Sequence, residues 1–215
     1  VFIDDDKANR EMVKKFIPEV YVVDLPDDPS FYLQALRGIN DFNSLQITEE
    51  DRKRGRMYVA QRSRQKLQMD SPDITEFLKG LNIKVTIAMA NPFTIPRISQ
   101  LTQRTNQFNT TSRRYNEEDI RKLATGVDSC VYNVKVEDKF GDEGICGVAI
   151  IKYSHQKKEC VITSFLLSCR VLGREVEKAV LAFIIEQAKN NGTKVITGEF
   201  IPSEKNEPAK YIYRN

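Results

Sequence analysis

The sequence of 215 residues contains a single histidine, His155, and no tryptophan. His155 lies in a polar stretch, residues 154–158, that we interpret as a hairpin turn at the surface. One histidine in such a place excludes most serine or cysteine triads that need a histidine base. The cysteines also lack the close spacing of a zinc ribbon or a redox motif, so we expect no structural zinc site; they are Cys130, Cys146, Cys160 and Cys169.

Long apolar runs and an excess of one charge are absent as well. No run approaches the roughly 20 apolar residues that span a bilayer, and no basic-then-apolar leader is present. The 33 basic and 30 acidic residues leave a net charge of +3, whereas nucleic-acid binders usually concentrate positive charge. We therefore expect neither a membrane nor a nucleic acid as partner, and a cytoplasmic location with reduced thiols. Because the sequence opens with Val1 inside an apolar run, we also expect a fragment.

Three segments are predicted along the chain. Residues 1–45 predict a βαβα piece that is too short for a stable domain. Residues 46–81 predict connecting helices, the first of which begins near Thr48 and is strongly basic. That helix is either a solvated connection or a basic surface for phosphate or an acidic carrier protein; its basic residues are Arg52, Lys53, Arg54, Arg56, Arg62, Arg64 and Lys66.

Residues 82–215 predict a complete α/β (α+β) domain. Its order is β-α-α-β-β-β-α-β-turn-β, with an amphipathic helix over 174–190 and a last strand over 211–213. This order resembles that of the GNAT acyltransferase fold.

The turn at residues 168–174 joins an apolar strand to the amphipathic helix. Backbone N–H groups at a helix N-terminus attract anions and favour a thiolate, and Arg170 beside Cys169 acts in the same direction. Cys169 is either a nucleophile that holds an acyl group as a thioester or a buried structural cysteine. Gly173 would let a ligand approach the backbone closely.

The same turn resembles the GNAT segment that cradles the pyrophosphate of coenzyme A. Arg170 and Gly173 match that pattern, but Glu175 stands where a second small residue is expected. Its carboxylate would repel pyrophosphate, so the phosphopantetheine arm of a carrier protein is expected in preference to coenzyme A. Asn206 and Tyr213 resemble the GNAT residues that contact pantetheine and protonate the departing thiolate; Tyr211 is an alternative for the phenol, and a core tyrosine is the plainer interpretation.

A dense polar segment follows the first helix of this domain. We interpret it either as a plain loop or as a binding edge whose side chains hydrogen-bond a small polar acyl group. The candidate residues are Gln103, Thr105, Asn106, Gln107 and Asn109.

Several strings together resemble the FkbH-like family of polyketide extender-unit pathways. They are FIDD with REMV near the N-terminus, TEEDR at 48–52, LTQRTNQFN at 101–109, FGD at 140–142 and SCRVLGR at 168–174. The resemblance implies a haloacid dehalogenase-like (HAD) phosphatase joined to a GNAT-like domain. It further implies capture of a glyceryl group from 1,3-bisphosphoglycerate and its transfer to an acyl carrier protein in methoxymalonyl extender-unit biosynthesis.

Asp4 and Asp5 match the last HAD motif, which implies a Mg²⁺ site in a complete HAD domain. The nucleophile motif Asp-x-Asp-x-Thr is not found, so we expect a partial HAD segment without phosphatase activity. Two other functions stay open: a coenzyme A-dependent GNAT N-acetyltransferase, and a non-catalytic module that docks a carrier protein.

Overall fold

A computed structural model describes residues 1–39, 49–154 and 156–214, with the backbone alone over 49–56. His155, the predicted boundary at 45/46 and the side chains of Arg52, Lys53, Arg54 and Arg56 lie outside the described parts. The chain divides into two compact units, Val1–Gly55 and Arg56–Asn215.

In its described residues, the first unit contains two complete α-helices, the start of a third and little strand. Helix α1 (Lys7–Phe16) begins after Asp6, whose side chain accepts a hydrogen bond from the Ala8 amide and caps the helix. A 3-10 turn, Pro29–Phe31, leads into α2 (Tyr32–Arg37). The two strands predicted here reduce to one parallel bridge between Phe2 and Val22 in the described residues. The predicted HAD segment is thus not confirmed.

The second unit contains a six-stranded sheet with helices. The helices after α2 are α3 (Glu49–Asp70, which begins in the first unit), α4 (Ile74–Leu81), α5 (Ile95–Arg104), α6 (Glu117–Thr125) and α7 (Val176–Asn190). The strands are β1 (Lys84–Met89), β2 (Phe108–Asn109), β3 (Ser129–Asp138), β4 (Gly141–Ser154), β5 (Glu159–Leu167) and β6 (Val195–Gly198). The sheet order is β1-β3-β4-β5-β2, antiparallel throughout, with β6 parallel to β5.

Both faces of the sheet are covered, because the central strands are apolar on each side. On one face, α7 packs Val180 and Ile184 against the sheet in one buried cluster. On the other face, α5 and α6 pack Ile98 and Ile120 against β4 in a second cluster. The mixed α/β class is therefore confirmed. No helix in the described parts of the chain is long and apolar enough to cross a membrane.

The predicted order of elements differs from the structure at its end. The strand predicted over 211–213 is wrong: these residues form a turn. The ring of Tyr213 lies against Gly198 so closely that a Cβ there would come within 2.5 Å of three ring carbons. This segment thus packs on β6 through a side chain. Strand β2, which pairs with the end of β5, was not predicted.

Candidate functional site

The turn after β5 has a different geometry from the one predicted. A 3-10 turn, Cys169–Val171, follows the strand, and Leu172 is extended. Gly173 and Glu175 then take left-handed backbone conformations, with φ of 74° and 57°. The helix begins only at Val176, later than the start at residue 174 expected from the sequence, so Cys169 lies further from its N-terminus than expected. The chain between Cys169 and α7 thus contains two residues in the left-handed conformation, Gly173 and Glu175.

Cys169 is nevertheless the exposed thiol of the chain. Cys146 and Cys160 are buried and Cys130 is intermediate. Burial raises the pKa of Cys146 to about 12 and that of Cys160 to about 11. Cys146 and Cys160 are therefore the small buried thiols expected from the sequence. The alternative that Cys169 is a buried structural cysteine is wrong, because Cys169 is exposed.

A buried cluster of charges holds the turn from the side of β3 and α3. Arg64 donates through Nε and Nη2 to the two carboxylate oxygens of Asp138, at 2.7 and 2.9 Å. Its Nη1 lies 2.7 Å from Oε1 of Glu143. Arg174 shares both acids, at 3.2 and 3.6 Å, and donates to the backbone carbonyl of Arg170 at 2.6 Å. All four side chains that carry these charges are at most 6% exposed.

The arrangement favours the ionised form of Asp138 in spite of its burial. Burial alone would raise the pKa of Asp138, but the hydrogen bonds from Arg64 and from the Phe140 amide, with the charges of Arg64 and Arg174, lower it overall. Burial and the nearby charge of Arg64 lower the pKa of the Arg174 guanidinium, against the opposing effect of the two acids. Sequence analysis missed this cluster: it interprets Arg64 as part of a basic helix that is either a solvated connection or a binding surface, and it assigns no role to Glu143.

Arg170 contributes less to Cys169 than its position in the sequence indicates. Its Nη1 lies 3.7 Å from Oε2 of Glu143 and 3.2 Å from the Met57 sulfur, and its Nε donates to the Ser168 hydroxyl at 3.4 Å. The guanidinium charge of Arg170 is thus partly compensated by the Glu143 carboxylate, which weakens its expected effect on Cys169.

The polar segment after α5 divides into a structural and an exposed part. Asn109 is fully buried: its Nδ2 donates to the Thr105 carbonyl at 3.2 Å, and its Oδ1 accepts from the Ser112 amide at 2.9 Å. Thr105 is buried too. Asn106 and Gln107 are exposed, with the Asn106 side chain bonded to Arg114.

Gln103 completes this group at its start. It is exposed, and its Nε2 donates to the Tyr115 carbonyl at 3.3 Å. The exposed members of the segment are therefore the ones that could contact a ligand, while Asn109 shapes the turn.

Asn206 is buried and bonded within the chain. Its Nδ2 donates to the carbonyls of Asn109 and Ile201, at 2.8 and 3.0 Å, and its Oδ1 accepts from the Ser203 amide at 2.8 Å. Both donors of the amide are used, so only an acceptor lone pair is left for a ligand. Its hydrogen bond to Asn109 thus links the C-terminal segment to β2.

The two candidate phenols differ in environment. The Tyr213 hydroxyl is buried without a conventional hydrogen bond, and burial raises its pKa to about 12, against a smaller opposing effect of Thr110. Tyr211 is half exposed, and the cations of Lys210 and Arg214 lie over its ring. Tyr213 accordingly holds its proton at neutral pH.

The two acids predicted to hold Mg²⁺ lie in the first unit. Both oxygens of the Asp4 carboxylate lie 3.4 Å from the Asn9 amide nitrogen, and Oδ1 also accepts from the Asp6 amide at 2.8 Å. Asp5 is exposed. Across the described residues, no group of three acids, cysteines or histidines could hold a metal ion.

No family model matches the sequence, and no curated protein matches it. The structure is similar to the ribosomal-protein-S18-alanine N-acetyltransferase from Escherichia coli, with 14% identity, a TM-score of 0.46, and coverage of 61% of this chain and 75% of that chain. It is also similar to the ribosomal-protein-alanine N-acetyltransferase from Brucella melitensis biovar Abortus 2308, with 11% identity, a TM-score of 0.47, and coverage of 61% and 89%.

A third similar structure is an aminoglycoside N-acetyltransferase in complex with CoA, with 11% identity, a TM-score of 0.46, and coverage of 62% of this chain and 86% of that chain. The solved structures named here are thus N-acetyltransferases.

Proposed function

We propose that this chain is an acyltransferase of the FkbH-like kind, in which Cys169 carries a glyceryl group to the phosphopantetheine thiol of an acyl carrier protein. The observation that carries the proposal is the exposure of Cys169 on a turn held by the Arg174–Asp138 pair, while Cys146 and Cys160 are buried. A nucleophilic thiol needs both access and a fixed position. The strings around residues 101–109 and 168–174 support the choice of family.

The chemistry takes two transfers at one sulfur. The Cys169 thiolate attacks the carbonyl carbon of an acyl phosphate such as 1,3-bisphosphoglycerate; a C–S bond forms, the C–O bond to phosphate breaks, and phosphate leaves with the electron pair. The carrier thiolate then attacks the thioester carbonyl, a new C–S bond forms, and Cys169 leaves as the thiolate. Removal of the remaining phosphate ester would need a complete HAD domain, in which acids such as Asp4 and Asp5 would hold Mg²⁺.

Other residues supply binding. Asn106 and Gln107 are exposed and polar, which suits hydrogen bonds to the hydroxyls of a short hydroxyacyl group. Arg62 and Lys66 are exposed on α3 and give a positive surface for an acidic carrier protein. A role for Tyr213 in protonating the departing thiolate stays a prediction, because its hydroxyl is buried.

Intact mass measurement of the full chain with 1,3-bisphosphoglycerate tests the proposal. We expect one acyl adduct that neutral hydroxylamine removes, that Cys169→Ala abolishes and that the matched variant Cys130→Ala keeps. An unchanged adduct in Cys169→Ala would exclude Cys169 as the carrier of the acyl group.

A coenzyme A-dependent N-acetyltransferase is the second candidate. The unit β5–α7–β6, with its parallel strand pair, favours it, because it matches the GNAT order of elements. Glu175 opposes it: the side chain carries a negative charge at the start of α7 and is paired with Lys178 at 2.5 Å. Acetyl transfer from acetyl-coenzyme A to an amine that persists in Cys169→Ala would establish this function in place of the first.

A further inference from the structure

Strands β5 and β6 stay paired over a short distance only. The parallel pairing runs from Glu159 with Val195 to Ile162 with Gly198, and the Glu199 amide still donates to the Ile162 carbonyl at 3.0 Å. Beyond that point the two strands diverge. A gap between diverging parallel strands exposes backbone N–H and C=O groups to which an extended, amide-containing arm can bind as an added strand.

In this chain the gap is filled by the chain itself. The Thr110 amide donates to the Phe165 carbonyl at 2.9 Å, and the Phe165 amide donates to the Thr110 hydroxyl at 3.0 Å. On the opposite side, the Ile201 amide donates to the Thr110 carbonyl at 2.8 Å. Thr110 therefore bridges β5 and the segment that follows β6.

The rest of the β5 edge is also occupied. Phe108 is paired with Leu167, and Asn109 is paired with Leu166. The Thr163 carbonyl accepts from Arg113 at 3.0 Å. We call residues 108–111 the plug segment; all four side chains are at most 4% exposed. An arm could reach this edge only after the plug segment had left it.

Asn206, which resembles the GNAT residue that contacts pantetheine, holds the plug segment in place. Its Nδ2 donates to the Asn109 carbonyl at 2.8 Å. The polar group expected to hold the cofactor is thus bonded to the plug segment.

The phosphate end of a coenzyme A site fits poorly as well. A helix N-terminus binds phosphate when its first N–H groups face an open position with no competing anion. Here Glu175 precedes the helix in a left-handed conformation, and Glu177 lies in its first turn. Two carboxylates thus lie at the start of α7, where their charge would repel a pyrophosphate.

From this geometry we infer that neither coenzyme A nor a pantetheine arm binds between β5 and β6 in this protein, because the plug segment occupies that place. A thiol acceptor then reaches Cys169 from the solvent-exposed side of the turn. The inference concerns the gap between the strands and stands whether or not Cys169 carries an acyl group.

Amide hydrogen exchange of the full chain, with and without coenzyme A at about 1 mM, tests it directly. We expect the Thr110 and Ile201 amides to stay protected with coenzyme A present. Either no saturable binding, or binding that leaves both amides unchanged, agrees with a closed gap. Saturable binding with faster exchange at Thr110 and Ile201 overturns the inference, because the arm would then have displaced the plug segment.

A variant pair checks what holds the plug segment. Asn206→Ala removes the bond to the Asn109 carbonyl, and we expect exchange at Thr110 to rise by about tenfold or more. The control, Glu204→Ala, alters an exposed residue of the same loop and should leave that exchange unchanged. Equal exchange in both variants contradicts the role given to Asn206. Since no acyl donor is present, failure here is distinct from failure of Cys169 acylation.

Discussion

Arg64 donates two parallel hydrogen bonds to Asp138, from Nε and Nη2 to the two carboxylate oxygens, at 2.7 and 2.9 Å. This two-point contact joins α3 to the end of β3 with both side chains buried. Arg174 lies 3.2 Å from the same carboxylate. The turn that carries Cys169 is therefore coupled to a helix more than a hundred residues earlier in the sequence.

Removing one acid from this cluster should destabilise the fold. Asp138→Asn leaves Arg64 and Arg174 buried with less compensating charge, so we expect the free energy of unfolding to fall by about 3–5 kcal/mol. Urea denaturation measures the change.

The matched control is Glu118→Gln, which breaks an exposed pair with Arg121 at 2.7 Å. We expect it to cost about 0–1 kcal/mol. Similar losses in the two variants would mean that burial of the Arg64–Asp138 pair has no energetic consequence.

Asp138 should also make the free energy of unfolding depend on pH in the acidic range. The pKa of Asp138 is lower in the folded protein than its ordinary value of 3.8. Its contribution is present above that value and is lost as the pH falls below it towards the folded pKa, because the unfolded chain takes up the proton more readily. We expect the unfolding free energy to fall steeply below about pH 4, and to fall less steeply in Asp138→Asn. Parallel acid titrations of the two proteins would contradict this assignment.

Much of the second unit could be predicted because its signals are local. The capping box formed by Asn116 and Asp119 marks the start of α6 and depends on residues only three positions apart. The apolar face of α7 and the long strands β3, β4 and β5 are strongly periodic. Such signals depend only on neighbours along the chain.

The candidate site was harder to predict from the sequence, because the residues that contact one another there are far apart along the chain. Nothing near Arg64 indicates that it meets an acid at 138, and a basic helix is more simply interpreted as solvated. Likewise, Phe108 and Asn109 form a strand only because the end of β5 offers them an edge. The late start of α7 follows from Glu175 taking a left-handed conformation, which is uncommon for this residue type and gives no signal in the sequence.

At high pH the buried thiols should reduce stability. The pKa of Cys146 is about 12 and that of Cys160 about 11 in the folded protein, both above the ordinary value of 9.0. Their contribution is full below pH 9 and is lost as the pH rises towards these values, since only the unfolded chain ionises. We expect a decline of about 1.4 kcal/mol per pH unit for each thiol. Cys160→Ala should show a shallower decline in denaturation midpoints between pH 9 and 11; an unchanged slope would argue that Cys160 is accessible.

Close packing of Tyr213 on β6 gives a sharper test of the C-terminal turn. A Cβ at Gly198 would come within 2.5 Å of the Tyr213 ring, so Gly198→Ala must displace the ring and should cost about 1–3 kcal/mol. In Gly80→Ala, which alters α4, the added Cβ would meet Leu67 of α3 at 3.5 Å, an ordinary van der Waals contact. We expect that control to be neutral or to stabilise by up to about 1 kcal/mol. Thermal denaturation separates the two, and a stable Gly198→Ala protein would mean that the C-terminal turn does not pack as described.

Gly173 lies in the turn that carries Cys169, where either the backbone conformation or a lack of space could require a glycine. Its φ is 74°, and a Cβ there would meet nothing within 4 Å, so backbone conformation rather than space requires glycine. Gly173→Ala should therefore cost about 1–2 kcal/mol, whereas Gly173→Asn should cost less, because asparagine tolerates the left-handed region. Urea denaturation ranks the variants, and the rate of Cys169 alkylation by iodoacetamide reports the turn itself. If alanine and asparagine cost the same and alkylation is unchanged, the left-handed conformation of Gly173 does not position Cys169.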